Sequence, residues 1–340
     1  MRERVEWIDA AKGIGILFVF LGHLVEKSWP GIWAYSFHLP LFFFLSGYLF
    51  SVKNDFKSFL KKKAKSLLIP YVTMGLVICV FDALWNHLLT KSNFHPPFLP
   101  RFLKDLVYLL LQVRFATLWY LAVLLGVNIF AYFLVKYIKN KCAAIIIVIG
   151  LCIFGYFYYK WGGSSLIWNV DVIVMAMPFF LGGYLFQQYP ILQGPFLSKK
   201  IGSVSLAGLL FMVSQCLTFF NKEKTGFSLE MYYNKYGILP VTYLCAFAGI
   251  LMTVIVANHL KPKWLCYIGK NSLVYFLLHQ AVIYPLLDFI YFRLGYGSTY
   301  TSTWRFIWVV STKIGITCIL LFFVNELLIK TRLRVLLGKN

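Results

Sequence analysis

The first apolar segment of the sequence carries two side chains whose types and spacing suit proton transfer beside a bound anion. Lys12 and His23 are eleven residues apart, so a helix places both on one face, about 16 Å apart along its axis. Asp9 lies one turn before Lys12 on nearly the same stripe. An imidazole titrates near ~6.5 and can take a proton from a hydroxyl, while an ammonium can hold phosphate. Ionisable side chains cost at least ~2.5 kcal/mol each at a bilayer centre, which indicates a functional reason for keeping them.

A second histidine follows in the next apolar segment, which contains S-F-H-L-P-L-F-F-F-L-S-G-Y-L-F. His38 lies near the outer end of that segment, at a depth similar to that of His23, so the two could share a pocket. A structural interpretation is also open, in which His38 bonds to a carbonyl freed by Pro40 and His23 makes an interhelical hydrogen bond. Ser46 is a further candidate, as a relay nucleophile.

Four other features of the sequence each allow a chemical and a structural interpretation. Residues 61–65, K-K-K-A-K, indicate membrane topology or an anion site. Asp171 could bind an acceptor hydroxyl or simply sit at a helix edge, and His279 could be catalytic or bonded within the bundle. Glu326 could pair with Lys330 at i+4.

Composition decides the class of protein. Hydrophobic residues make up 60% of the 340 and charged residues 13%, whereas soluble domains have about 25% charged residues. The net charge of +21 does not indicate nucleic-acid binding, because the lysines and arginines cluster between apolar segments. The seven cysteines form no CxxC pair, so neither a disulfide framework nor a metal site is expected.

The hydrophobic pattern predicts an all-α polytopic bundle of about ten transmembrane helices, forming one integral membrane domain over residues 1–340. Inner segments hold 20 Lys and Arg residues if the N-terminus is cytoplasmic, and outer segments hold 11, which favours both termini inside. The first apolar segment lacks a signal-peptide cleavage site. An interfacial helix is expected at 102–113, within a long outer loop at 90–115. The predicted spans are 9–27, 35–52, 67–89, 116–135, 143–160, 171–189, 201–221, 236–258, 271–292 and 305–328.

Three stretches of this sequence resemble the membrane acyltransferase-3 family. They are I-D-A-A-K-G-I-G-I-L-F-V-F-L-G-H, F-H-L-P-L-F-F-F-L-S-G-Y-L-F and N-S-L-V-Y-F-L-L-H. The chain is most similar to the stand-alone, fucose 4-O-acetylase-like branch of polysaccharide O-acetyltransferases, over essentially its whole length. The resemblance implies an enzyme of the bacterial plasma membrane. It would move acetyl from cytoplasmic acetyl-CoA to a hydroxyl of a cell-surface or lipid-linked glycan, with polysaccharide-assembly proteins as candidate partners.

The resemblance also assigns residues. The family's basic-x10-His pattern falls on Lys12 and His23, its basic pair on Lys62 and Lys65, and its late acidic residue on Glu326. Lysines stand where arginine is usual, and they bind phosphate without the bidentate fork. The expected coenzyme-binding residues are therefore Lys12, Lys62, Lys65 and Glu326, and the expected catalytic residues are His23 and His38. Direct attack by the hydroxyl and an acyl-histidine intermediate both remain open.

Two other functions are compatible with the same residues. In a transporter or flippase of a lipid-linked sugar, the intramembrane His and Asp residues would bind protons or substrate. The lack of an internal repeat opposes that interpretation. In a non-catalytic partner of polysaccharide assembly, the aligned stripe of ionisable residues would have no purpose.

The topology is testable by thiol labelling. Cys142 and Cys266 are predicted at cytoplasmic ends of their spans. An impermeant maleimide should therefore miss both cysteines in intact cells and reach at least one in opened vesicles. Labelling in intact cells would reverse the orientation and the side from which coenzyme A enters.

Overall fold

The computed structural model describes residues 5–53, 55–89, 97–112, 114–189, 199–296 and 303–338. These ranges are helical and contain no β-strand beyond one isolated bridge between Glu230 and Lys235, which confirms the all-α prediction. The α-helices are α1 Glu6–Leu24, α2 Trp29–Tyr35, α3 His38–Tyr48, α4 Phe56–Lys63, α5 Ile69–Leu89, α6 Phe98–Leu111, α7 Trp119–Tyr137, α8 Lys141–Lys160, α9 Val170–Phe186, α10 Lys200–Thr225, α11 Leu239–His259, α12 Lys263–Lys270, α13 Ser272–Leu278, α14 Tyr284–Arg293 and α15 Thr303–Lys330.

Nine segments of the described chain are long and apolar enough to cross a membrane. They correspond to nine of the ten predicted spans, and the protein is therefore a multi-pass membrane protein. The second predicted span, 35–52, is the one without a counterpart among these nine segments. It contains α3, whose 11 residues extend about 16 Å, roughly half of a ~30 Å hydrocarbon core.

The break before α3 has a local cause. Pro40 has no N–H, and its ring would clash with the carbonyl four residues earlier in a continuous helix. The backbone therefore leaves helical geometry at Phe37, with φ −144° and ψ −14°, and α3 restarts at His38. The helical part of the predicted span 35–52 is thus α3, with Tyr35 as the last residue of the preceding helix α2.

Parts of the predicted outer loop are also described. Residues 90–96 and 113 lie outside the described ranges, but α6 extends through most of the predicted interfacial helix and begins four residues before it. Its side chains at Leu103, Val107 and Leu110 are exposed, whereas Asp105 is buried. This pattern suits a helix whose apolar face meets lipid.

The chain divides into two compact units. The first comprises residues 1–53, 130–164 and 172–272, and the second comprises 54–129, 165–171 and 273–340. The expectation of one membrane domain over residues 1–340 stays a prediction.

In the first unit, α1 packs chiefly against four helices, which are α12, α11, α2 and α3. Glycines permit the closest of these contacts. A Cβ on Gly13 would collide with the Leu265 carbonyl oxygen, and one on Gly269 would collide with the Asp9 carbonyl oxygen. Gly15 lies against Leu41 of α3. Small residues of this kind let helix backbones approach one another in a membrane.

In the second unit, α5 packs against α6 and against the C-terminal 3₁₀ helix Arg332–Leu337. The Tyr71 hydroxyl donates to the Leu109 carbonyl, and Leu109 also contacts Gly75. The ninth span is not uniformly α-helical, because a π-helical turn, His279–Ile283, separates α13 from α14.

The α1–α12 contact predicts opposite effects for two glycine substitutions. Gly269→Ala should lower the free energy of unfolding by about 1–3 kcal/mol, because overpacking outweighs the helix propensity gained. Gly208→Ala, at an exposed position of α10 with nothing near its added Cβ, should be neutral or stabilising. Thermal unfolding in detergent measures both, and equal melting temperatures would contradict the close crossing.

Candidate active site

The proposed line of ionisable residues lies on one unbroken helix. Both Lys12 and His23 fall inside α1, so the eleven-residue spacing places them on one face as the sequence predicted. Both side chains are half-buried. Helix α1 carries Lys12 in its N-terminal half and His23 in its last turn.

His23 is held by a tyrosine of α2. The Tyr35 hydroxyl lies 2.8 Å from His23 Nδ1, and the two rings meet edge to face with centroids 5.5 Å apart. Either atom can donate in this pair, because a phenol and a neutral imidazole each have both capacities. The bond fixes the orientation of the imidazole and engages its Nδ1.

His38 lies on the same tyrosine. Its ring centroid is 5.0 Å from that of Tyr35, and its Cε1 lies close to Gly22 of α1. His38 Nδ1 is 2.7 Å from the Ala34 carbonyl oxygen, and since a carbonyl only accepts, Nδ1 carries the hydrogen. The carbonyl that it binds is that of Ala34, not the one freed by Pro40.

These contacts bring both predicted histidines together around Tyr35, a residue that the sequence interpretation did not select. Tyr35 is one turn before His38 in W-A-Y-S-F-H, and this spacing was the available signal. A tyrosine near a membrane surface is so common that the spacing alone did not distinguish it from an aromatic-belt residue. Ser46, the relay candidate, is half-buried in α3.

The remaining predicted coenzyme-binding residues belong to the second unit. Lys62 lies in the last turn of α4 within a run of lysines, Lys65 lies in the π-helical turn Ala64–Leu68, and both are exposed. Asp55 caps α4 by accepting from the Ser58 backbone N–H at 3.1 Å. Hydrogen bonds from the Ser58 side chain and backbone lower the pKa of the Asp55 carboxyl below its ordinary value.

Glu326 makes the ion pair that the structural interpretation foresaw. Its carboxylate lies 2.7 Å from Lys330 Nζ, one turn later in α15. The Glu326 side chain is 20% exposed and that of Lys330 is 75% exposed. The carboxylate is thus oriented by a neighbouring cation at the end of its helix.

His279 is a buried histidine of a different kind. Its Nδ1 lies 3.1 Å and 2.9 Å from the carbonyl oxygens of Tyr275 and Phe276, so it bonds to the backbone of its own helix. The side chain is fully buried at the start of the π-helical turn. His279 thus bonds to Tyr275 through the backbone carbonyl oxygen of that residue.

Asp171 takes part in a buried ion pair that the sequence did not reveal. Arg114 donates from Nη2 to the Asp171 carboxylate at 2.5 Å and from Nη1 to Asn169 Oδ1 at 2.6 Å. The Arg114 and Asp171 side chains are only 9% and 4% exposed. The other carboxylate oxygen accepts from the Leu166 N–H at 3.3 Å. Asp171 therefore joins two loops, in addition to any contact with an acceptor.

The backbone around this pair is strained. Gln112, Arg114 and Ala116 have φ of 46°, 56° and 44°, and Trp168 and Asn169 have φ of 55° and 53°. Non-glycine residues in the left-handed region cost of order 1–3 kcal/mol each and persist only where surrounding contacts impose them. The Arg114 hydrogen bonds impose this geometry on both loops.

A family model described as an acyltransferase domain matches residues 5–324, which is nearly the whole chain. No curated protein and no solved structure gives a significant match.

The buried ion pair predicts a stability effect at Asp171. Asp171→Ala should lower the free energy of unfolding by about 3–5 kcal/mol, because it leaves the Arg114 charge buried without its carboxylate. The control is Glu230→Ala, which breaks a partly solvent-accessible pair with Lys235 and should cost less than ~1 kcal/mol. Unfolding in detergent compares them. A stable Asp171→Ala protein without activity would instead support the acceptor-binding interpretation.

Proposed function

This chain belongs to the acyltransferase-domain family, and we propose that it is an O-acetyltransferase of the bacterial plasma membrane. The donor is cytoplasmic acetyl-CoA, and the acceptor is a hydroxyl of a cell-surface or lipid-linked glycan. Both termini lie on the cytoplasmic side. The family match covers the three stretches that resemble the membrane acyltransferase-3 family. The proposed acceptor class comes from the resemblance of the chain to the fucose 4-O-acetylase-like branch.

The observation that carries the proposal is the environment of His23. A histidine of a membrane-spanning helix shares a face with Lys12, and Tyr35 orients its ring through a 2.8 Å hydrogen bond. A general base needs both an accessible nitrogen and a partner that fixes its ring. His23 is half-buried, which combines a partly dry environment with access for a reactant.

In the proposed reaction, His23 Nδ1 carries its hydrogen toward Tyr35, and Nε2 accepts the proton of the glycan hydroxyl. The hydroxyl oxygen then attacks the thioester carbon and forms the new ester bond. The C–S bond breaks, and the thiolate of coenzyme A takes up the proton from the imidazolium. Tyr35 is a positioning residue in this scheme, because it acts through the orientation of His23.

Lys12 is proposed to hold the donor. It lies about 16 Å from His23 along α1, a span that the extended pantetheine arm of coenzyme A can cover. Its ammonium would attract a phosphate as a point charge. Lys62 and Lys65 are proposed to bind coenzyme phosphates in the second unit, and Glu326 to orient that binding through Lys330.

His38 is proposed to support catalysis through Tyr35. Its side chain is only 1% exposed and its Nδ1 is committed to the Ala34 carbonyl, which opposes direct contact with a sugar hydroxyl. Ring packing between His38 and Tyr35 instead restricts the tyrosine that orients His23. Polysaccharide-assembly proteins remain proposed partners that would present the acceptor.

The proposal is tested by acetyl transfer per folded molecule in detergent. His23→Ala should lower turnover by about 10²–10⁴-fold while leaving coenzyme A binding intact, since general-base catalysis typically contributes that much. Wild-type activity should also fall at acidic pH, because a protonated imidazole cannot accept the hydroxyl proton. Tyr35→Phe should lower turnover more than it changes the Michaelis constant.

The matched control is His279→Ala. That histidine is buried and bonded to its own helix backbone, so its loss should reduce the folded yield more than turnover per folded molecule. A His23→Ala protein that keeps a tenth or more of wild-type turnover would exclude His23 as the base. Failure of the wild-type protein to consume acetyl-CoA with any glycan acceptor would favour the transporter.

A further inference from the structure

Two basic segments that are far apart in sequence lie side by side in the second unit. One is the lysine-rich stretch 61–65, and the other is the C-terminal 3₁₀ helix Arg332–Leu337. Neither segment alone exceeds what cytoplasmic loops of membrane proteins usually carry. Their juxtaposition is a property of the folded chain.

Three contacts hold the C-terminal segment in place. Thr73 Oγ1 donates to the Leu336 carbonyl oxygen at 2.7 Å, and Leu337 is buried with 4% of its surface exposed. Gly338 adopts φ 66° with its Cα so near the Lys65 carbonyl oxygen that a Cβ would collide with it. The 3₁₀ helix itself is capped by Thr331, whose side chain accepts from the Leu333 N–H at 3.2 Å. The C-terminal segment is thus held in place against residues 65–73.

This placement brings the 3₁₀ helix that carries Arg332 and Arg334 beside the lysine-rich stretch. Arg334 precedes Gly338 by four residues, which is about 8 Å at the rise of a 3₁₀ helix. Long arginine and lysine side chains can converge on one ligand over that distance. The five exposed cations Lys61, Lys62, Lys65, Arg332 and Arg334 are called the basic surface below.

We propose that the basic surface is a phosphate-binding site in which Arg332 and Arg334 supply the planar forks that Lys62 and Lys65 lack. A guanidinium binds a phosphate through two parallel hydrogen bonds, whereas an ammonium acts as a point charge. The ligand is the nucleotide end of coenzyme A, which carries a diphosphate and a phosphomonoester. The inference rests on the proposed function and adds two residues to its donor site.

The fixed position of the segment favours a nucleotide over anionic lipid. Attraction to a lipid surface, like a topology signal, needs only positive charge near the membrane. Neither role requires a buried leucine, a hydrogen bond to Thr73 or a glycine in contact with the Lys65 backbone. Such anchoring is what a site of defined geometry requires. The carboxylate nearest in sequence to the arginines, Glu326, is already engaged by Lys330 at 2.7 Å.

Coenzyme A binding to the detergent-solubilised full chain tests the charges. By calorimetry, Arg332→Ala with Arg334→Ala should raise the dissociation constant of coenzyme A by at least tenfold. Arg332→Lys with Arg334→Lys should give a smaller increase, because charge remains and the fork is lost. The control is Lys199→Ala with Lys200→Ala, which removes two exposed cations elsewhere and should leave the constant unchanged.

A second variant tests the placement without changing any charge. Gly338→Ala should displace the segment from Lys65 and raise the dissociation constant of coenzyme A several-fold. Gly226→Ala is the matched control, since Gly226 has φ 75° but nothing within contact of an added Cβ. It imposes similar backbone strain at a remote site and should leave binding unchanged.

The outcomes separate the two proposals. If the wild-type chain binds coenzyme A and the double alanine variant binds equally well, the basic surface is not the nucleotide site, whereas the proposed function stands. If that variant loses only its association with phosphatidylglycerol vesicles, the surface is a lipid site and the inference is overturned. A wild-type chain that binds no coenzyme A overturns both.

Discussion

The arrangement of the first unit depends on the hydrogen bond between Tyr35 and His23. An ionisable ring within a membrane-spanning helix is costly unless a partner satisfies it, and that partner also fixes the orientation of the ring. Tyr35 can reach His23 because the chain turns between α1 and α2. His38 follows Tyr35 by three residues and packs on the same tyrosine across the helix break at Phe37.

The position of α1 depends in turn on glycine contacts. Gly13 and Gly269 allow α1 and α12 to meet backbone to backbone, and Gly15 admits the side chains of α3. Without an aqueous driving force between helices, such close packing contributes much of the stability of helix pairs in a membrane. The face of α1 that carries Lys12 and His23 is thus fixed by residues that do no chemistry themselves.

The second unit stabilises its loops by another means. The Arg114–Asp171 pair is nearly inaccessible to solvent and holds five residues in the left-handed region of backbone space. A buried ion pair adds little net stability but enforces one geometry, because any other arrangement leaves a buried charge without its partner. The anchored C-terminal segment Arg332–Leu337 shows the same principle with weaker contacts, since a hydrogen bond and a glycine contact fix where its charges lie.

The sequence by itself determined the helical class, nine of the membrane-spanning segments, the family and the shared face of Lys12 and His23. These properties follow from composition and from the 3.6-residue period, which are local along the chain. The tertiary structure decided the shortening of the second span, the contact of both histidines with Tyr35, the partner of Asp171 and the contact of Gly338 with Lys65. Each joins residues through close packing and hydrogen bonds whose geometry no local pattern encodes, so only the folded chain could reveal them.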